Sequence, residues 1–83
     1  MMHYTPSGIC ASGIDFEVVD GKVADVKFTG GCDGNHKGLN ALIKGMRVEE
    51  AIERLRGITC GHRTTSCPDQ LSKALENYLV GQV

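Results

Sequence analysis

Apolar and polar residues alternate from Gly13 to Val18, with Ile14, Phe16 and Val18 on one side and Asp15 and Glu17 on the other. That period of two predicts a half-buried strand. Lys22 to Thr29 repeats the alternation, with Ala24, Val26 and Phe28 as its expected apolar face. Between the two stands Asp20-Gly21, a pair that tolerates positive φ at both central turn positions and so predicts a tight hairpin. His3 to Thr5 is expected to add a short strand. From Asn35 onward the period becomes helical. Leu39, Leu42, Ile43 and Met46 form one stripe on a helix expected over residues 35–44, with Gly45 as its stop. Val48, Ala51, Ile52 and Leu55 form a second stripe, ending at Gly57. Leu71, Ala74, Leu75, Tyr78 and Leu79 form the third, with Cys67 read as the N-cap, Pro68 as the first helical residue and Gly81 as the end. Strands first and helices afterwards define an α+β domain. The expectation is a small antiparallel sheet of about three strands with about three helices on one of its faces.

The chain has 83 residues, which predicts one domain over residues 1–83. Its core is near the lower limit, with no Trp, two Phe and two Tyr. Domains of this size commonly gain stability from a metal or from disulfides. Met1 to Pro6 has no basic flank followed by an apolar run, so no secretory leader is expected. No stretch has the roughly 20 apolar residues of a membrane span. A cytoplasmic setting follows as the expectation, and thiols stay reduced there. The net charge of −1 points to neither nucleic acid nor membrane as partner. Residues 1–35 are acidic and residues 36–63 basic, a split expected of solvated faces and compatible with docking to an acidic protein surface.

The four cysteines then become the candidate chemistry. They are spaced Cys10-x21-Cys32-x27-Cys60-x6-Cys67. Cys10 precedes a strand, Cys32 follows one, Cys60 lies in a Gly-flanked loop and Cys67 opens the last helix. Thiols at element ends can converge without distorting helix or sheet. A cysteine at a helix N-terminus has its thiolate stabilised, and thiolate is both metal ligand and nucleophile. Four thiolates suit tetrahedral zinc or an iron–sulfur cluster. No C-x2-C knuckle is present, so a redox pair of Cys60 and Cys67, or packing as small hydrophobes, stays open beside metal binding. His3, His36 and His62 compete as ligands. Each is expected to be a surface residue, with His62 the best substitute for Cys60.

Thr65-Ser66-Cys67-Pro68-Asp69 resembles the motif that names the TSCPD family. Further blocks carry the resemblance: Gly8-Ile9-Cys10, Phe28-Thr29-Gly30-Gly31-Cys32-Asp33-Gly34-Asn35, Gly45-Met46, and Cys60-Gly61 through Gln70. Members are small free-standing proteins, or domains near the C-terminal end of adenosylcobalamin-dependent ribonucleotide reductases. The resemblance implies an association with thioredoxin-dependent ribonucleoside-diphosphate reductase. The chain lacks the several hundred residues of barrel that such an enzyme needs, so an accessory or regulatory part is implied and not the enzyme itself. A more distant likeness is to iron–sulfur cluster scaffolds of the IscU/NifU type. Their three cluster cysteines would fall on Cys10, Cys32 and Cys67, and Glu49-Glu50-Ala51 would match a helix segment. Those scaffolds carry Cys-Gly-Asp at the first ligand, where this chain has Cys10-Ala11-Ser12. Many also carry His before the third, where this chain has Ser66. Without that acid, a closed structural zinc is favoured over a transferable cluster.

The resulting expectation is a non-catalytic zinc-binding interaction module, with Cys10, Cys32, Cys60 and Cys67 as ligands and a protein partner such as a ribonucleotide reductase. A cluster carrier and a Cys60–Cys67 redox partner are the alternatives.

Overall fold

The computed structural model describes residues 1–31, 33–59 and 61–81. Among them three strands are followed by three helices: β1 (Met2–Tyr4), β2 (Gly13–Val19), β3 (Lys22–Thr29), α1 (Asp33–Ile43), α2 (Val48–Leu55) and α3 (Cys67–Leu79). The sheet is antiparallel, in the order β1-β2-β3. It is the α+β architecture that the change of period predicts. The hairpin turns at Asp20 and Gly21, both with positive φ (53° and 74°), as a two-residue turn requires.

A bulge corrects the expected face of β3. The register shifts between Glu17 and Val18, so that Val18 pairs with Val23 while Phe16 pairs with Val26. One extra residue on the β3 side moves Ala24 off the apolar face and puts Val23 on it. Val23 is fully buried and Val26 nearly so, beside Ile14 and Phe16. The helices cover this face with Ile43 from α1, Val48, Ala51, Ile52 and Leu55 from α2, and Leu71, Ala74 and Leu75 from α3. Phe16 also meets Tyr78 edge-on, with ring centroids 6.3 Å apart.

Two expected stripe residues face solvent. Leu42 is 79% exposed and Leu79 is 48% exposed. For Leu42 the cause is the line along which α1 docks, which runs His36, Asn40, Ile43 at i, i+4, i+7. Asn40 is polar because it sits on the sheet edge. Its Oδ1 accepts from the Val26 N–H (3.0 Å) and its Nδ2 donates to Asp25 Oδ1 (3.1 Å). The segment after α1 completes the cover. Val23 N–H donates to Met46 O (2.8 Å), Gly45 N–H to Val23 O (2.7 Å) and Val48 N–H to Gly21 O (3.0 Å). An edge strand left open would offer these groups to another chain. Here α1 and the α1–α2 turn take them. The far edge, β1, is only three residues long. Leu79 is the last residue of α3, beyond the reach of the sheet. No helix among the described residues is long and apolar enough to cross a membrane.

Candidate functional site

The start of α3 is built from the bottom up by four polar side chains. Ser66, not Cys67, is the N-cap. Its backbone is extended (φ −154°, ψ 172°), and its Oγ accepts from the Asp69 N–H at 3.2 Å. Cys67 is therefore the first helical residue and Pro68 the second, one step later than expected. Ser outcompetes Cys at this position because a hydroxyl oxygen is the better acceptor for an orphan N–H. The Ser66 hydroxyl also donates to Ile58 O (2.6 Å), fastening the preceding loop. Asp69 accepts from the Gly57 N–H (2.8 Å) and from Thr65 Oγ1. Gln70 Nε2 donates to Thr65 Oγ1 (2.9 Å), while its Oε1 accepts from the Ser7 N–H (3.1 Å). Thr65, Ser66, Asp69 and Gln70 are all buried. Together they lock the N-terminal segment and the α2–α3 loop onto the first turn of α3. In Thr65-Ser66-Cys67-Pro68-Asp69, these residues make the frame and Cys67 is what the frame presents.

The thiol opens on a cavity of about 410 Å³, lined chiefly by apolar atoms, that includes Ile9, Cys10, His36, Leu39, Arg63 and Cys67. Cys10 is exposed and Cys67 half-buried. Arg63 holds the Cys10 side in place: Nη1 donates to Gly8 O (2.9 Å), and Nη2 lies 3.5 Å from Cys10 Sγ. His36 holds the other side, with Nε2 3.2 Å from Cys67 Sγ. Its ring is stacked on Phe28 (centroids 4.0 Å apart, planes 16° apart). It is 8% exposed, against the expected surface position, whereas His62 is exposed.

Two expected ligands thus reach one cavity from opposite ends of the chain. The other two, Cys32 and Cys60, lie outside the described residues, and with Cys60 so does the expected Cys60–Cys67 pair. Among the described residues, no three Cys, His, Asp or Glu side chains gather closely enough to enclose an ion. One described pair, His36 Nε2 and Cys67 Sγ, is of the donor types that zinc takes. Zinc bonded to one sulfur and one nitrogen sets those atoms about 3.6 Å apart at a tetrahedral edge. His36 Nε2 and Cys67 Sγ are already within that span. Sequence reasoning undervalued His36 and missed Arg63. His36 was findable, lying seven residues before the buried Ile43 on the inward line of α1. Arg63 has no local signal, since its partner Gly8 is distant in sequence.

A family model for the TSCPD domain matches residues 2–79. The chain belongs to the TSCPD domain family. Its kin include the C-terminal region of ribonucleotide reductases. No curated protein and no solved structure matches the chain. In this TSCPD domain the motif's polar residues build the turn that presents Cys67, and Gly31 leaves room for the His36 ring beside that thiol. A Cβ built on Gly31 would lie 2.8 Å from His36 Cε1, and its φ is +78°. Gly31→Ala should therefore cost about 2 kcal/mol in urea unfolding, combining left-handed backbone with displacement of the imidazole. Gly38, inside α1 with open space around it, is the control. Gly38→Ala should raise stability by up to about 1 kcal/mol.

Proposed function

We propose that this TSCPD domain is a metal-binding interaction module, an accessory relative of the ribonucleotide reductase C-terminal region that catalyses no reaction itself. Cys10 and Cys67 are its first two ligands, with Cys32 and Cys60 the first candidates for the remaining positions. The metal is zinc, which at four protein ligands has no redox chemistry and acts as a crosslink. The observation that carries this reading is that Cys10 and Cys67 line one cavity, with an imidazole nitrogen beside Cys67. Ala11 and Ser12 follow Cys10 where the iron–sulfur scaffolds that the chain distantly resembles carry Gly-Asp, which favours a closed zinc site over a labile cluster. A bound ion would join the N-terminal segment to the first turn of α3, the same two segments that Ser7 and Gln70 already tie. The surface so fixed would face a protein partner in the cytoplasm, a ribonucleotide reductase being the first to try.

Native mass spectrometry of untagged protein, with elemental analysis, tests the proposal. One zinc per chain is expected, lost on chelation and absent from Cys67→Ser. A chain that is metal-free as isolated, and takes up no zinc when it is supplied, overturns it. Visible absorbance after anaerobic reconstitution with iron and sulfide, in preference to zinc uptake, replaces it with a cluster carrier.

A further inference from the structure

His36 is held as a ligand is held. Among the described residues its ring meets the face of Phe28, the side-chain-free backbone of Gly31, and Cys67 Sγ at 3.2 Å from Nε2. Stacking fixes the plane, and α1 fixes the position along the cavity wall. An imidazole used only to fill space has no need of its nitrogen on the cavity side. Burying a ring nitrogen is costly unless it has a partner, and here a sulfur is that partner. The apolar lining of the cavity would strengthen any bond from the pair to a cation, because water competes weakly there. His62, the better candidate by sequence, is exposed and is not among the cavity residues.

We infer that His36 Nε2 is itself a metal ligand, adjacent to Cys67 Sγ, so that the donor set is mixed sulfur and nitrogen and not four sulfurs. This rests on the metal-binding reading above and specifies it. The two donors open by a few tenths of an ångström to span an ion, a shift the cavity has room for. Such fixing of a ligating histidine by its surroundings is what gives metal sites their affinity and selectivity.

X-ray absorption at the zinc edge on the zinc-loaded full chain is the test. The wild-type spectrum should carry the outer-shell scattering of one imidazole. His36→Gln should lose it, with zinc affinity falling more than about 100-fold. His62→Gln should keep both. Circular dichroism checks that His36→Gln is folded; if it is not, loss of the imidazole scattering in folded His62→Gln or His3→Gln, or an all-sulfur wild-type shell, still overturns the inference. An all-sulfur shell in the wild type overturns the inference and leaves the metal reading standing. Imidazole scattering that persists in folded His36→Gln, or vanishes in His62→Gln, overturns it in the same way. A wild-type chain that takes up no zinc overturns both.

Discussion

Phe16→Ala is expected to bring the chain close to unfolding at room temperature. Phe16 is fully buried at the centre of the sheet, paired with Val26 on β3 and Met2 on β1. Its ring meets the edge of Tyr78 from α3, so its removal opens the contact between sheet and helix layer. Truncating a buried Phe costs about 4 kcal/mol through lost transfer energy and residual cavity. The total stability of a chain this size is on the order of 4–12 kcal/mol. The variant should thus lose a third or more of its stability, or fail to fold. Urea unfolding followed by circular dichroism measures it, with Leu42→Ala as the control. Leu42 is exposed, so its truncation should change stability by no more than about 0.5 kcal/mol. A small loss at Phe16 comparable with that at Leu42 would mean the sheet does not pack as described.

The contrast between these two residues marks what the hydrophobic pattern can convey. Period two and period 3.6 locate β2, β3 and the three helices, because each signal is local; β1, at Met2–Tyr4 where His3–Thr5 is expected, is too short to carry a period. They do not locate a helix's docking line when that line includes a polar residue. Asn40 is inward only because α1 lies along the β3 edge, where unpaired backbone groups need partners. An apolar stripe drawn without Asn40 rotates toward Leu42 and misses His36. The bulge at Glu17 and Val18 is similar. It reverses the facing of Val23 and Ala24, and no residue in β3 announces it.

Of the candidate site, Cys10 and Cys67 were legible in the sequence and their supports were not. Cys67 could be placed at a helix start from Pro68 alone. That it shares a cavity with Cys10 depends on contacts between distant parts of the chain: Arg63 with Gly8, Ser7 with Gln70, Gly57 with Asp69. Such pairs have no period and no fixed spacing. The motif itself hides the division of labour. Within five residues, three polar side chains face inward to build the turn, and one sulfur faces the cavity.

Asp69 should be the most damaging of the motif's polar residues to remove. Its carboxylate is buried and accepts from the Thr65 hydroxyl and the Gly57 N–H, while it sits in the first turn of α3, where negative charge is favoured. Hydrogen bonds to a charged acceptor contribute more than neutral ones, so Asp69→Ala is expected to cost about 3 kcal/mol. Asp69→Asn should cost less, because the amide retains one acceptor, but it must turn a donor toward one of two donors. The two variants should differ more clearly in pH dependence. The Thr65 hydroxyl foremost, then the Gly57 N–H and the charge of Lys73, outweigh the cost of burial and hold the Asp69 carboxyl below its ordinary value of 3.8. A depressed folded-state pKa means the unfolded chain takes up the proton first. The stabilisation is therefore complete above the unfolded-state value and is lost as pH falls from about 4 through the folded-state pKa. Wild-type stability should decline over that window, and Asp69→Asn should show a shallower decline because it has no proton to gain there. Thermal unfolding between pH 3 and pH 7, monitored for both proteins, measures the difference. Parallel acid limbs in the two proteins would remove Asp69 as the charged centre of the frame that presents Cys67.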